Sequence, residues 1–172
     1  VRAAIDAADS LDELVAELTA QGIDAHPMHA DLADAAACAR LAAEAVERCD
    51  GLDVLVSNAG IVRGAPLAML DVADWDTVFA IDVRATWLLA RGARAALAQS
   101  RGAIVAIASV ASLYPFPGLG AYSPAKAALG MLCRQLAQEW AADGIRVNTV
   151  SPGLIRTPLT EPIYRNEAFL RR

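Results

Sequence analysis

Short apolar segments alternate with longer amphipathic segments along the whole chain of 172 residues. The segment 102–108 carries no charged side chain, which is typical of a strand in a parallel sheet that helices cover on both faces. Five strands are predicted, at residues 1–6, 23–30, 52–57, 102–108 and 145–150. Four helices are predicted between them, at residues 9–21, 33–49, 74–97 and 122–142. This alternation predicts a doubly wound α/β domain with right-handed crossovers.

Polar or glycine-containing turns follow the predicted strands. They contain, in chain order, Asp6, Asp31, Asn58-Ala59-Gly60, Ser109 and Pro152-Gly153. In open parallel sheets, ligands bind outside the carboxyl ends of the strands. The sequence therefore predicts a binding site along this edge of the sheet.

The single lysine of the chain, Lys126, follows Tyr122 by four residues. On a helix, positions i and i+4 share one face, so the phenol and the ammonium can point into the same space. A nearby cation favours the ionised form of a phenol, which is otherwise a weak acid at neutral pH. This spacing predicts an acid/base pair, whereas a surface tyrosine and a solvated lysine would be the ordinary alternative.

Composition excludes several classes of function. The net charge is −5 and no basic cluster is present, so neither nucleic acid nor an anionic membrane is a predicted partner. No apolar run reaches the roughly 18 residues of a membrane-spanning helix. Cys38, Cys49 and Cys133 are predicted to be reduced core thiols of a cytoplasmic protein. His26 and His29 lack the further ligands that a zinc site requires, so no metal is predicted.

Five motifs in order resemble the short-chain dehydrogenase/reductase family. They are Asp31-Leu32, Ser57-Asn58-Ala59-Gly60, Ser109, Tyr122-x-x-x-Lys126, and Ser151-Pro152-Gly153 with Thr157. The resemblance implies a Rossmann-type three-layer α/β/α fold in one domain over residues 1–172, with 159–172 as a substrate lid. It also implies a first strand with a glycine-rich turn before Val1 and a last strand after Arg172, both of which the chain as given lacks.

The resemblance implies hydride transfer between a nicotinamide dinucleotide and a ketone or secondary alcohol. Tyr122 would be the general acid or base. Lys126 would lower the pKa of Tyr122 and bind the nicotinamide ribose. Ser109 would hold the substrate oxygen, or would cap a turn at the end of its strand.

The resemblance also places residues around the cofactor. These are Asn58, Ala59 and Gly60 in a close turn, Asp31 and Leu32 at the adenine, and Pro152, Gly153 and Thr157 at the nicotinamide. Asp31 could equally cap the helix that follows it. Asp6 stands where a carboxylate would accept hydrogen bonds from the adenosine ribose and repel a 2′-phosphate. NAD is therefore predicted, with NADP not excluded.

One position departs from the family pattern. The family usually has an asparagine in its long helix that keeps a water near the lysine for a proton relay, and Asp82 stands at that position here. A buried carboxylate there would either ionise beside Lys126 or take up a proton.

Further predictions concern the substrate and the assembly. Residues 113–119 suggest an apolar wall, and Arg63, Arg156 and Arg165 are predicted to be solvated. The alternative functions are those of a non-catalytic or regulatory relative, or of an epimerase or dehydratase on the same scaffold. Both long helices are apolar on more than one face, which predicts a homodimer or homotetramer. The residues concerned are Trp87, Leu88, Leu89, Leu129, Leu132, Leu136 and Trp140.

Overall fold

The computed structural model describes residues 8–157 and 160–164. Within these residues the strands are β1 (Val54–Ser57), β2 (Ala103–Ile107) and β3 (Arg146–Val150). The helices are α1 (Ala8–Ala20), α2 (Ala35–Arg48), α3 (Val72–Phe79), a π-helix (Ala80–Arg84), α4 (Ala85–Ser100), α5 (Tyr122–Glu139) and α6 (Glu161–Tyr164). Short 3-10 helices span Leu67–Met69, Val110–Ser112 and Ala141–Asp143.

The three strands form a parallel sheet in the order β1-β2-β3. Ser57 pairs with Ala106 and Ile107 pairs with Val150, so the carboxyl ends of the strands lie close to one another. Each connection contains helices, as parallel neighbours require. The prediction of a doubly wound parallel arrangement is confirmed for this part of the sheet.

The prediction of a strand at residues 23–30 is wrong, because the structure has no strand there. Gly22 ends the first helix with a φ of 78°, and the following residues run to Asp31 without strand pairing. A strand exists only where a neighbour completes its hydrogen bonds, and the described residues place none beside this segment. The predicted strand 1–6 lies outside the described residues. Met28 and Leu32 are nevertheless buried and anchor the segment in the core.

The predicted helix 74–97 is three consecutive helical segments. It begins earlier, where the Asp71 carboxylate caps α3 by accepting the Ala73 N–H at 3.1 Å. The turn Ala80–Arg84 then widens, and the Ala85 N–H bonds to the Ala80 carbonyl five residues back. Such π turns are frequent at functional sites because they redirect side chains.

Two apolar clusters hold the helices against the sheet. The first joins α4, α5 and β2 through buried residues that include Leu97, Ile104 and Leu129. The second joins α2 to the π-helix and α4. Leu55 of β1 packs against these clusters, whereas Val54 and Val56 lie on the other face of the strand and are each 52% exposed.

Gly92 lets α2 and α4 approach closely, so we expect Gly92→Ala to destabilise the chain. A Cβ at Gly92 would lie 2.6 Å from the Ala42 Cβ. The helices would have to separate, at a cost of about 1–3 kcal/mol. Gly130, inside α5, is the matched control because a Cβ there has nothing within 4 Å. Gly130→Ala should stabilise by up to about 1 kcal/mol. Denaturant unfolding measures both, and equal effects would contradict the close approach.

Candidate active site

A buried ion pair lies at the carboxyl ends of β1 and β2. Asp82, from the π-helix, is 1% exposed and Lys126, from α5, is 3% exposed. Their Oδ2 and Nζ atoms are 3.4 Å apart, an ion-pair distance without the alignment of a hydrogen bond. Lys126 Nζ also donates to the Ile107 carbonyl at 3.0 Å. The single lysine is thus held by a carboxylate and by the end of β2.

The turn after β1 closes over this pair. The Ile61 N–H donates to Asp82 Oδ1 at 2.9 Å. A Cβ at Gly60 would lie 3.0 Å from Lys126 Nζ and 3.2 Å from Asp82 Oδ2, which is tighter than ordinary contact. A side chain at position 60 would therefore require Lys126 or Asp82 to shift by a few tenths of an ångström. Ala59 packs against the second apolar cluster, while Asn58 is exposed.

Tyr122 begins α5 and lies beside the pair, with its ring centroid 5.5 Å from Lys126 Nζ. Burial raises the pKa of Tyr122, a hydrogen bond with Ser109 lowers it, and the Asp82 charge raises it further. The pKa is raised overall, whereas the sequence led us to expect Lys126 to lower it. The main reason is burial, because desolvation disfavours the charged phenolate, and the charge of the neighbouring Asp82 carboxylate adds to it.

Burial also raises the pKa of Asp82, although Lys126 and the Ile61 N–H both lower it. Desolvation opposes a charged carboxylate, whereas a paired ammonium and a donated N–H favour it. The carboxylate is therefore buried in a position that depends on Lys126 for its stability.

Ser109 takes one of the two roles predicted for it, the cap of a turn at the end of its strand, while its role at the substrate oxygen stays a prediction. Its Oγ accepts the Ala111 N–H at 3.1 Å and so caps the 3-10 helix Val110–Ser112. The Ser109 side chain also lies beside Tyr122 and lowers the pKa of the phenol. Ser109, Tyr122, Lys126 and Asp82 are thus assembled in one place from three separate parts of the chain.

The predicted adenine end differs in detail from expectation. Asp31 does not cap α2, because Asp34 accepts the Ala36 N–H and is the cap. Asp31 instead accepts the Ala33 N–H at 2.8 Å in a local turn. Leu32 is only 2% exposed and packs in the second cluster, whereas the sequence placed it at the adenine.

Arg84 is a residue that sequence reasoning missed. Its guanidinium donates to the Ala33 carbonyl and so ties the π-helix to the turn after Asp31. The only signal for it in the sequence is its position two residues after Asp82. An arginine on a helix is usually solvated, so this spacing alone does not predict the contact.

The segment after β3 lies beside Ser109. The Val110 N–H donates to the Pro152 carbonyl at 2.9 Å. Gly153 and Thr157 are exposed, and the Thr157 N–H donates to Thr160 Oγ1 at 2.9 Å. Asp6 lies outside the described residues.

Of the predicted lid, residues 160–164 are described, and α6 is the short helix there. Arg156 pairs with Glu161 at 3.1 Å and Arg63 with Asp74 at 3.6 Å, so both take part in exposed ion pairs. Arg165 lies outside the described residues. The thiols of Cys38 and Cys133 are buried, but Cys49 is exposed, so its prediction as a core residue is wrong. Cys49 follows the last turn of α2 and therefore faces solvent.

The residues near Lys126 fit the ribose and nicotinamide end of a dinucleotide. An ammonium has three donors. The Ile107 carbonyl accepts from one of them, so Lys126 keeps donors that suit a ribose hydroxyl. Over residues 8–157 and 160–164, no group of three or more His, Cys, Asp or Glu could hold a metal. No described helix is long and apolar enough to cross a membrane.

Residues 2–172 match the family model described as enoyl-(acyl carrier protein) reductase. The chain is 41% identical to 2-(R)-hydroxypropyl-CoM dehydrogenase of Xanthobacter autotrophicus, over 84% of this chain and 61% of the relative. It is 35% identical to gluconate 5-dehydrogenase of Gluconobacter oxydans, over 94% of this chain and 64% of the relative. The solved Pseudomonas aeruginosa RhlG/NADP active-site complex superposes with a TM-score of 0.86 at 32% identity, covering 98% of this chain and 67% of that one. The chain therefore spans less than two thirds of these two curated relatives.

Proposed function

The chain belongs to the short-chain dehydrogenase/reductase family, and we propose that the protein interconverts a ketone and a secondary alcohol with a nicotinamide dinucleotide. The observation that carries this proposal is the assembly of Ser109, Tyr122 and Lys126 at the carboxyl ends of the strands. The named dehydrogenases among its relatives support the same class of reaction. When bound, the dinucleotide supplies or accepts the hydride.

The residues of the chain handle the oxygen and its proton. In the reductive direction, Tyr122 donates its phenolic proton to the carbonyl oxygen, and in the oxidative direction it takes the proton back. Ser109 donates its hydroxyl hydrogen to the same oxygen and stabilises the negative charge that develops there. Lys126 binds a ribose hydroxyl and orients the ligand next to Tyr122. Asp82 fixes Lys126 and provides an acceptor for a water in a proton relay.

We assign NAD as the cofactor and do not exclude NADP. The basis for NAD is the carboxylate of Asp6 in the sequence, where a 2′-phosphate would be repelled. RhlG was solved with NADP, so relatives with this fold accept the phosphorylated cofactor. Leu113, which is 66% exposed and follows the Ser109 turn, supports an apolar wall for the substrate.

We also propose a cytoplasmic homo-oligomer that associates through α4 and α5. Most of the apolar side chains that predicted it are buried within the chain itself: Leu88, Leu89, Leu129, Leu136 and Trp140. Trp87 is 40% exposed and Met131 is 59% exposed, and these two support a contact between copies. A monomer in sedimentation velocity would contradict the proposal.

The full-length protein should oxidise NADH or NADPH in the presence of a ketone. A panel of acyl-thioester, sugar-derived and cyclic ketones, followed by the loss of reduced-cofactor absorbance, tests this directly. The cofactor preference follows from the ratio of kcat/KM values, and we expect NADH to be favoured. Lack of turnover with all ketones and with the matching alcohols would contradict the proposed function.

A further inference from the structure

The charge environment of Tyr122 is set by two groups that oppose one another. Lys126 and Asp82 are both buried, 3.4 Å apart, and adjacent to the phenol. With both groups ionised, the pair has no net charge. In a buried site the interaction between charges is weakly screened, so a phenol beside an isolated ammonium would ionise more readily than a phenol beside this pair.

The carboxylate is fixed in this position by more than the lysine. Its Oδ1 accepts the Ile61 N–H at 2.9 Å, which ties the side chain to the turn after β1. Lys126 is likewise fixed, because Nζ donates to the Ile107 carbonyl at 3.0 Å. Each charge is thus hydrogen-bonded to a backbone group, so the backbone of the site holds the two charges next to each other.

No other described charge takes over this role. Ser109 meets Tyr122 with a neutral hydroxyl, and the turn after β1 contributes a backbone N–H through Ile61. The helix α3, the strand β3, the π-helix and the 3-10 helix Ala141–Asp143 also pack against α5. Apart from Asp82, their charged side chains are at least partly exposed and are not among the causes of the Tyr122 shift: Asp74, Asp76, Arg84, Asp143 and Arg146.

We propose that Asp82 is a positioning residue that cancels the charge of Lys126, so that Tyr122 keeps its proton at neutral pH and serves there as the acid of carbonyl reduction. This inference rests on the proposed function. Alcohol oxidation needs the phenolate as its base, so it becomes fast only at alkaline pH. Asp82 thereby determines which direction of the reaction the site catalyses well at neutral pH.

The pKa of Tyr122 can be measured without any turnover, by the ultraviolet absorbance of the phenolate. The full-length protein is titrated with pH, and the Tyr122→Phe trace is subtracted to isolate Tyr122. Asp82→Asn keeps the shape of the side chain and an acceptor for Ile61, but leaves the Lys126 charge uncompensated. We expect the phenolate transition in this variant to move down by about 1–3 pH units.

Asp76→Asn is the matched control, because it removes the same charge from an exposed site on the neighbouring helix. It should leave the Tyr122 transition unchanged. Asp82→Ser is a second neutral variant and should move the transition in the same direction as Asp82→Asn. In kinetics, the rise of alcohol oxidation with pH should begin at lower pH in both Asp82 variants.

A Tyr122 transition at the same or a higher pH in the Asp82 variants would overturn the inference. An equal shift in Asp76→Asn would also overturn it, because the effect would then be that of net charge. If the wild-type protein turns over no ketone or alcohol, the proposed function fails, and with it the assigned direction of reaction. The phenolate titration would still show whether Asp82 opposes Lys126.

Discussion

Tyr122→Phe is expected to abolish turnover while dinucleotide binding is retained. The phenylalanine ring keeps the aromatic contact with Lys126, whose Nζ lies 5.5 Å from the ring centroid. What is lost is the hydroxyl that gives its proton to the substrate oxygen. Removal of a positioned general acid reduces the rate by about 10²–10⁴-fold. Initial rates with a saturating ketone measure the loss, and quenching of protein fluorescence measures the binding of NADH.

Thr77→Val is a suitable control for the loss of a hydroxyl. Thr77 lies on α3 and its Oγ1 bonds to the Ala73 carbonyl of the same helix at 2.7 Å, away from the Lys126 pair. Its removal should leave kcat unchanged. If Tyr122→Phe retains turnover within about tenfold of the wild type, Tyr122 is not the acid. If Tyr122→Phe also loses NADH binding, the loss of turnover is explained by the loss of cofactor binding and not by the loss of the acid.

Lys126→Met is expected to be the most destabilising single substitution at the site. It leaves the Asp82 carboxylate buried with only the Ile61 N–H as its partner. Removing one member of a buried pair costs about 3–5 kcal/mol because the other charge stays desolvated. We expect a value near the lower limit, because Asp82 can take up a proton. Urea unfolding of the wild type and the variant at neutral pH measures the difference.

The pH dependence of the stability loss in Lys126→Met distinguishes an unpaired buried carboxylate from a general loss of packing. The pKa of Asp82 is already raised in the folded protein, and loss of Lys126 removes the largest influence that lowers it. A carboxyl with a raised folded pKa stabilises the fold fully below its unfolded pKa, about 3.9, and loses that contribution as pH rises through the folded value. The deficit of Lys126→Met should therefore be smallest in acid and largest at neutral pH.

The double variant Asp82→Asn/Lys126→Met completes the cycle. Its neutral pair leaves no buried charge, so it should recover part of the stability lost in Lys126→Met. A deficit that is independent of pH and additive in the double variant would contradict the ion pair as its cause.

The parallel sheet and the pairing of Tyr122 with Lys126 could be predicted from the sequence, because both depend on local periodicity. Apolar runs identify β1, β2 and β3, and a spacing of four residues on a helix puts two side chains on one face. Periodicity alone could not decide whether residues 23–30 form a strand. An extended apolar segment becomes a strand only when it forms hydrogen bonds with a partner strand elsewhere in the chain.

The environment of the pair depends on features that no local pattern reveals. The helical pattern continues through Ala80–Arg84, so the sequence does not predict the π turn that carries Asp82 into the site. The orientation of Lys126 toward Ile107 and Asp82 arises only when three segments pack together. The resemblance implied a lowered pKa for Tyr122, whereas burial of the phenol in the assembled site raises it. The burial of Leu32 is also a consequence of tertiary packing.

Transfer of deuterium from the reduced cofactor to the product tests the proposed reaction most directly. The full-length protein is supplied with a ketone that it accepts and with NADH or NADPH deuterated at the hydride-donating position, and the alcohol is analysed by mass spectrometry. We predict that the label is found on the carbinol carbon of the alcohol, and that Tyr122→Phe forms almost none of this product. A product without the label, or release of the label into water, would contradict hydride transfer to the ketone and would favour another reaction on the same scaffold.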